Sequence, residues 1–538
     1  MNAPVSDSPS SSATLRGAAW IACVALVLIA SRGLWPIVPV EGDDQGVIFG
    51  VEGMVSSSPE LLARRYLFPI QPGSYDVLAA AVRLTGVSAQ TVFASATVFG
   101  AALFAVSGAG LLSAALSIPF VFALLAMLAC QETVAAACYL NTSALAGGVA
   151  LLSLVPFARR ARRSLLLLGG VGLGVAGWLR GDALLVAPAT LPLLALHDGW
   201  GARALRDTAL AAFVAIIAFL ALRQLSGAPL SAAIATFAGR APESSTLRMT
   251  RDALLTLLSP ALLLASLAGV VWLAARKKGT LLLLLAAGLI PTALAYRDAL
   301  VSTKYLYYTI PFALLPGLLL LRTLLAQRRR TTLALLALAA TADAVAGLRV
   351  LPSEARFFSA PPAAFSTSFV LGSRTIKVVL GGGDVIPNED GFRLRTGHLF
   401  AAETWRREKL HQQARLAEIR AFVETHSSET LYFAGWLPEQ LALRELFAAG
   451  FLPRDSVTFT QWHRGTRSIE LRFLGHVGSP YQPAGPAPSP TLGRDPLLIG
   501  LYGNQVSPTE LADGRHWRVA TAPAQGFVTL YRRSSESR

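Results

Sequence analysis

Charge is scarce in this chain. Only 15% of its residues are Asp, Glu, Lys or Arg, against about a quarter in soluble globular domains, and that excludes a wholly water-soluble protein of 538 residues. Cysteine is scarcer still. Cys23, Cys130 and Cys138 all lie in or beside apolar runs, which excludes a disulfide framework and a thiolate metal site. His398, His411, His426, His463, His476 and His516 have no short metal-ligand spacing. Acidic residues are few, 32 against 47 basic ones. The resulting +15 net charge would favour nucleic acid if it lined one surface. It does not. Arg159, Arg160, Arg162 and Arg163, then Arg276, Lys277 and Lys278, then Arg328, Arg329 and Arg330 sit between apolar spans. Cytoplasmic anchors do this under the positive-inside rule, so nucleic acid is set aside as a partner.

What is abundant is apolar length. Hydropathy predicts about eleven membrane helices, at 18–40, 90–114, 117–137, 141–157, 164–179, 183–197, 207–223, 253–275, 280–296, 306–325 and 331–348. Residues 1–16 are rich in Ser, Pro and Ala and read as a disordered cytoplasmic segment. The first apolar run is too long for a signal core and reads as a retained anchor. The fold class is therefore a polytopic α-helical membrane domain over 17–348, followed by a C-terminal soluble α/β domain over 349–538. In that tail, strands are expected at 375–380, 431–434, 468–473 and 527–531, and helices at 402–425 and 438–449. With the basic clusters inside, the N-terminus is cytoplasmic and an odd span count sends the tail out. A multi-pass protein of the inner (plasma) membrane follows.

That parity gathers the polar loops on one face. The first loop, 41–89, is long enough to expect function. It opens with Glu41-Gly42-Asp43-Asp44 at the mouth of the first span, where carboxylates are costly unless they face water or a ligand. Tyr75, Val77, Leu78, Ala81, Val82 and Leu84 are spaced for an interfacial amphipathic helix. The same face carries Arg180, Arg297 and Lys304. An acid beside gathered cations suits general-base transfer with an anionic leaving group. Glu132 is a further candidate acid near the same face. Asn141-Thr142-Ser143 fits a glycosylation sequon that its membrane-edge position argues against. Gly381-Gly382-Gly383-Asp384 lacks nucleotide-loop spacing and reads as a tight turn.

Three segments carry a family resemblance. Asp43-Asp44-Gln45-Gly46-Val47-Ile48-Phe49 resembles the first-loop signature of the GT-C membrane glycosyltransferases. That superfamily includes protein O-mannosyltransferase, aminoarabinose transferase and arabinofuranosyltransferase branches. Trp178-Leu179-Arg180-Gly181-Asp182 is similar to its Arg-containing hairpin, with Gly181-Asp182 where Pro-Glu is usual. Lys304-Tyr305-Leu306-Tyr307-Tyr308 is similar to the segment that leads into a late span. Val47 replaces the family's tyrosine. The resemblance implies an inverting transfer from a polyprenyl-phosphate-linked sugar to a glycan, lipid or protein acceptor, outside the cytoplasm. Asp43 would be the catalytic carboxylate and Asp44 its assistant. Arg180, Arg297 and Lys304 would hold the donor phosphate, and Glu41, Asp182, Tyr305 and Tyr308 would bind substrate. No cofactor is assigned; a divalent metal ion is left open because the ligand set is thin. A flippase for a lipid-linked glycan and a non-catalytic membrane assembly protein are the alternatives. The one-sided charges and the lack of a repeat weigh against the first.

The topology has a direct check. Single cysteines placed in the 349–538 tail should react with impermeant thiol reagents added outside intact cells, and labelling only from the cytoplasm would reverse the orientation.

Overall fold

The computed structural model describes residues 11–32, pieces of 47–55, 70–130, 133, 136–137, 140–228, 230–231, 234, 258, 260–295, most of 307–338 and ten strands within 365–533. The helices are α1 (Ser11–Arg32), α2 (Pro72–Thr85), α3 (Ala89–Leu116), α4 (Phe120–Ala129), α5 (Ser143–Ala158), α6 (Arg163–Leu179), α7 (Thr190–Asp198), α8 (Ala202–Ser226), α9 (Pro260–Ala275), α10 (Gly279–Ala295) and α11 (Ile310–Gln327). A 3-10 segment, Gly181–Ala189, joins α6 to α7. Among the described residues, Ala89–Leu116, Ala202–Ser226 and Tyr307–Gln327 are long and apolar enough to cross a bilayer, and shorter apolar helices pack beside them. The chain is a polytopic helical membrane protein.

The helix of the first loop forms for readable reasons. Pro72 opens α2, where a missing N–H costs nothing. Gly86 closes it at φ +69, a left-handed cap whose N–H donates to Val82 O at 2.8 Å. The helix is amphipathic as expected, but its buried side differs from the expected one: Tyr75, Leu78 and Ala79 are buried, while Val77 and Leu84, expected on the same apolar face, are exposed. Ser88 then caps α3 by accepting from the Thr91 N–H at 3.3 Å.

Two spans differ from the hydropathy reading. The run 117–137 was expected as one helix, but α4 stops after ten residues with Cys130 extended. Backbone near Asn141 is satisfied another way. Asn141 Nδ2 donates to Ala136 O at 2.9 Å and its Oδ1 accepts from the Ala144 N–H at 3.0 Å. Asn141 N–H donates to Thr97 Oγ1 on α3 at 3.3 Å. Non-helical backbone at membrane depth is tolerated where protein covers it in this way. The sequon asparagine is thus a buried structural residue. The run 164–197 is a hairpin, as expected, but its return begins as 3-10 helix containing Pro188. Arg160 Nε meets Asp198 at 2.6 Å, tying the end of α7 back to the turn before α6. That hydrogen bond holds the Asp198 carboxyl, just past the apolar run, below the usual carboxylate range; burial opposes it, and the charges of Arg160, Arg203 and His197 reinforce it.

α6 and α8 pack through small residues. A Cβ added at Gly170 would lie 2.6 Å from Ala211 O, and one at Gly174 would lie 2.6 Å from Ala215 O. Glycine there lets two backbones touch, as Gly-x-x-x-Gly stripes do in bilayers. Gly269 approaches Pro316 equally closely, joining α9 to α11. The core between helices includes Phe93, Phe104, Phe157, Tyr75, Tyr307, Tyr308 and Phe312.

In the C-terminal part, β1 (Phe365–Leu371) pairs with β2 (Arg374–Leu380), and β3 (Val385–Pro387) with β4 (Arg393–Arg395). A mixed sheet of β5 (Leu431–Ala434), β6 (Thr458–His463), β7 (Thr466–Arg472), β8 (Leu497–Gly500), β9 (Trp517–Thr521) and β10 (Thr529–Arg533) runs in the order β7-β6-β5-β8-β10-β9. Its centre is parallel, β5 lying between β6 and β8, and its flanks are antiparallel. The helices expected at 402–425 and 438–449 lie outside the described residues.

Replacing Gly170 by Ala should therefore destabilise the protein by about 1–3 kcal/mol through overpacking. Gly110→Ala, where the nearest atom is Val155 Cγ2 at 3.7 Å, should be neutral. Thermal unfolding in detergent compares the two.

Candidate active site

A buried polar node stands where the first loop meets the bundle, and every member sits at an element end. Gln71 precedes α2, Thr142 precedes α5, Arg180 follows α6, Asp182 opens the 3-10 segment and Tyr308 precedes α11. Helix ends leave backbone groups without partners, so chain crossings gather there. Ser74 Oγ donates to Leu179 O at 2.7 Å, and Gly181 N–H donates to Ile70 O at 2.8 Å. These two bonds stitch α2 to the hairpin apex. Gly73 lets the Trp178 ring approach so closely that a Cβ would fall 2.4 Å from it.

Within this frame Arg180 and Asp182 are 5% and 7% exposed. Arg180 Nε donates to Asp182 Oδ2 at 3.0 Å and lies 2.9 Å from Oδ1. Arg180 Nη1 donates to Gln71 Oε1 at 3.0 Å and to Thr142 Oγ1 at 3.2 Å, and Thr142 Oγ1 donates to Gln71 Oε1 at 2.5 Å. The fully buried Tyr308 OH donates to Asp182 Oδ1 at 3.0 Å. The charges of the pair cancel, and both carboxylate oxygens are used. A buried pair persists only with such supporting bonds, and removing one partner strands a charge.

A second cluster lies on the other side of α2. Trp178 Nε1 donates to Ser226 Oγ at 2.7 Å, and Ser226 Oγ donates to Asp76 Oδ2. Arg223, buried one turn before Ser226, stacks its guanidinium 5.6 Å from the Phe219 ring centre. The first-loop helix is thus fastened to α6, α8 and the hairpin apex.

Of the residues singled out from sequence, the structure brings Arg180, Asp182 and Tyr308 together, bonded to one another inside the protein. Glu41, Asp43, Asp44, Glu132, Arg297, Lys304 and Tyr305 lie outside the described residues. Sequence reasoning missed Gln71, Ser74, Asp76, Thr142 and Ser226. Gln71 and Ser74 had a visible signal in the polar run Gln71-Pro72-Gly73-Ser74, and Thr142 stood only within the sequon. Among the described residues no group of three or more His, Cys, Asp or Glu side chains gathers as a metal site.

A helical bundle with α2 packed against it and a charged hairpin apex beside α2 defines the fold. Solved structures share it at almost full length. ArnT from Cupriavidus metallidurans in the apo state superimposes with a TM-score of 0.56 and 15% identity, covering 97% of this chain and 98% of that one. ArnT from the same organism bound to undecaprenyl phosphate gives 0.54 and 13%, covering 98% and 99%. No protein-family model and no curated protein matches the sequence.

The node sets an order of costs. Asp182→Ala, which strands the Arg180 charge, should destabilise by about 3–5 kcal/mol. Tyr308→Phe, which removes one bond to a carboxylate, should cost about 1.5–3 kcal/mol. Denaturant titration of both variants in detergent tests the ranking.

Proposed function

We propose that the protein is a glycosyltransferase of the inner membrane that moves a sugar from a polyprenyl phosphate to an acceptor hydroxyl outside the cytoplasm. The observation that supports this best is the fold: it corresponds over almost the whole chain to a protein whose structure holds undecaprenyl phosphate. In this reading about eleven helices span the membrane, the N-terminus is cytoplasmic, and residues 349–538 form an exported α/β domain that covers the site or binds acceptor.

The chemistry follows from the residue types. Asp43 orients the acceptor hydroxyl and takes its proton as the oxygen attacks the anomeric carbon. The bond from that carbon to the phosphate oxygen breaks on the opposite face, with inversion. The electron pair leaves with the polyprenyl phosphate. Arg297 and Lys304 contact the phosphate and offset its growing charge, with Arg180 as the third cation. Held by Asp182, Gln71 and Thr142, Arg180 is a fixed charge rather than a mobile one, and a fixed charge needs no reorganisation during reaction. Asp44 assists Asp43. Glu41 and Tyr305 bind substrate, while Asp182 and Tyr308 form the floor beneath it.

With a purified lipid-linked sugar donor, Asp43→Asn should lower kcat by at least about 100-fold, the lower range for a lost general base. Arg297→Gln and Lys304→Gln should raise KM for the donor. Normal transfer by both Asp43→Asn and Asp44→Asn would sink the catalytic assignment, and a labelled donor that crosses vesicles unconsumed would favour a flippase.

A further inference from the structure

At the end of α6 remote from Arg180, basic side chains gather from two stretches of chain. Arg159, Arg160, Arg162 and Arg163 form the α5–α6 turn, and Arg203 and Arg206 open α8. Asp198 and Asp207 are the acids that face them. Asp207 is the centre, its side chain 4% exposed. Arg206 Nη2 lies 3.3 Å from its Oδ1, Arg163 Nε lies 3.9 Å from the same atom, and Arg160 Nη2 lies 3.7 Å from Oδ2. Arg160 is already committed to Asp198 through Nε. Its Nη2 is buried and makes no hydrogen bond among the described residues. Two carboxylates cannot neutralise six guanidinium groups, so a positive excess is built into the packing of this end.

Topology alone does not demand this arrangement. The positive-inside bias needs charge near span ends; it does not need three arginines drawn around one buried carboxylate. The two outermost, Arg163 and Arg206, keep 56% and 62% of their side chains exposed. Both are within reach of one Asp207 oxygen, so one phosphate group can bridge them. Guanidinium forks match phosphate geometry.

What lies beside the arginines specifies the ligand further. Leu165 and Leu168 follow Arg163 on α6 and are exposed, and Leu205, Phe213, Ile216 and Ile217 are exposed along α8. α8 is the least covered of the long apolar helices, with 17% of its apolar window buried. An uncovered apolar helix face that ends in a cluster with an excess of guanidinium charge fits a molecule with an anionic head and an acyl tail. Basic sites between helices at a membrane surface hold such head groups.

We propose that the α5–α6 turn and the start of α8 form a binding site for an anionic phospholipid, its phosphate bridging Arg163 and Arg206 and its acyl chain lying along the exposed face of α8. The site is separate from the proposed transfer site and does not depend on it.

The test uses the full chain in neutral detergent, with phosphatidylglycerol, phosphatidylcholine and inorganic phosphate as probes, read by native mass spectrometry and thermal shift. Phosphatidylglycerol should give retained adducts and raise the melting temperature, an effect that high salt weakens. Arg163→Gln/Arg206→Gln should lose at least about tenfold in phosphatidylglycerol affinity, since both head-group contacts go. Arg163→Lys/Arg206→Lys, which keeps the charge and secures the fold, should fall between. Arg276→Gln/Lys277→Gln, in another basic turn, should bind as the parent does. Unchanged binding by the Gln pair, or equal loss in the Arg276/Lys277 pair, would overturn the site. Equal stabilisation by phosphatidylcholine or by inorganic phosphate would overturn the anionic-lipid assignment.

Discussion

The buried pair of Arg180 and Asp182 is the constraint on which this end of the molecule depends. A guanidinium and a carboxylate in a helical membrane bundle are each costly alone, and they are retained only as a neutral, fully bonded unit. Completing that unit needs Gln71 from the first loop, Thr142 from the start of α5 and Tyr308 from the approach to α11. Four chain segments distant in sequence are thereby held to one geometry. The first loop is consequently part of the bundle at its α2 end, and whatever chemistry the loop carries inherits the rigidity of the charged pair beneath it.

The remaining architecture supports this node by close backbone contact rather than by bulk. Glycine at 170 and 174 sets α8 against α6, and glycine at 269 sets α9 against α11. Lipid tails are as apolar as leucine, so shape fit and polar bonds must replace the hydrophobic effect between membrane helices. That is why the polar residues sit at helix ends and the small residues along helix sides.

Much of the fold was legible in the sequence because hydropathy is local. The long spans and the amphipathic α2 fall where apolar spacing puts them. The end of α4 was misplaced: the expected span ran on to 137 across Gln131-Glu132-Thr133, a polar break, whereas the helix ends at Ala129 with Cys130 extended. The node was half legible. Arg180 and Asp182 stood out as a charged apex between apolar spans, and Tyr308 through the family resemblance, but their partners did not. Gln71 and Thr142 are 71 residues apart, Gln71 and Arg180 are 109 apart, and Asp182 and Tyr308 are 126 apart. No local pattern encodes such pairings. The sequence therefore names polar residues as candidate ligand contacts, while the fold assigns several of them to each other.

The link between α2 and α3 is only Gly86-Val87-Ser88, with Gly86 committed to capping one helix and Ser88 to capping the next. A connection that short, with both ends capped, behaves as an elbow and leaves no slack for a hinge. α2 has no freedom to lift away as a flap without dragging α3, the longest apolar helix, along with it. Any opening at this end of the bundle must then be made by other segments, with α2 as the fixed jamb against which they close.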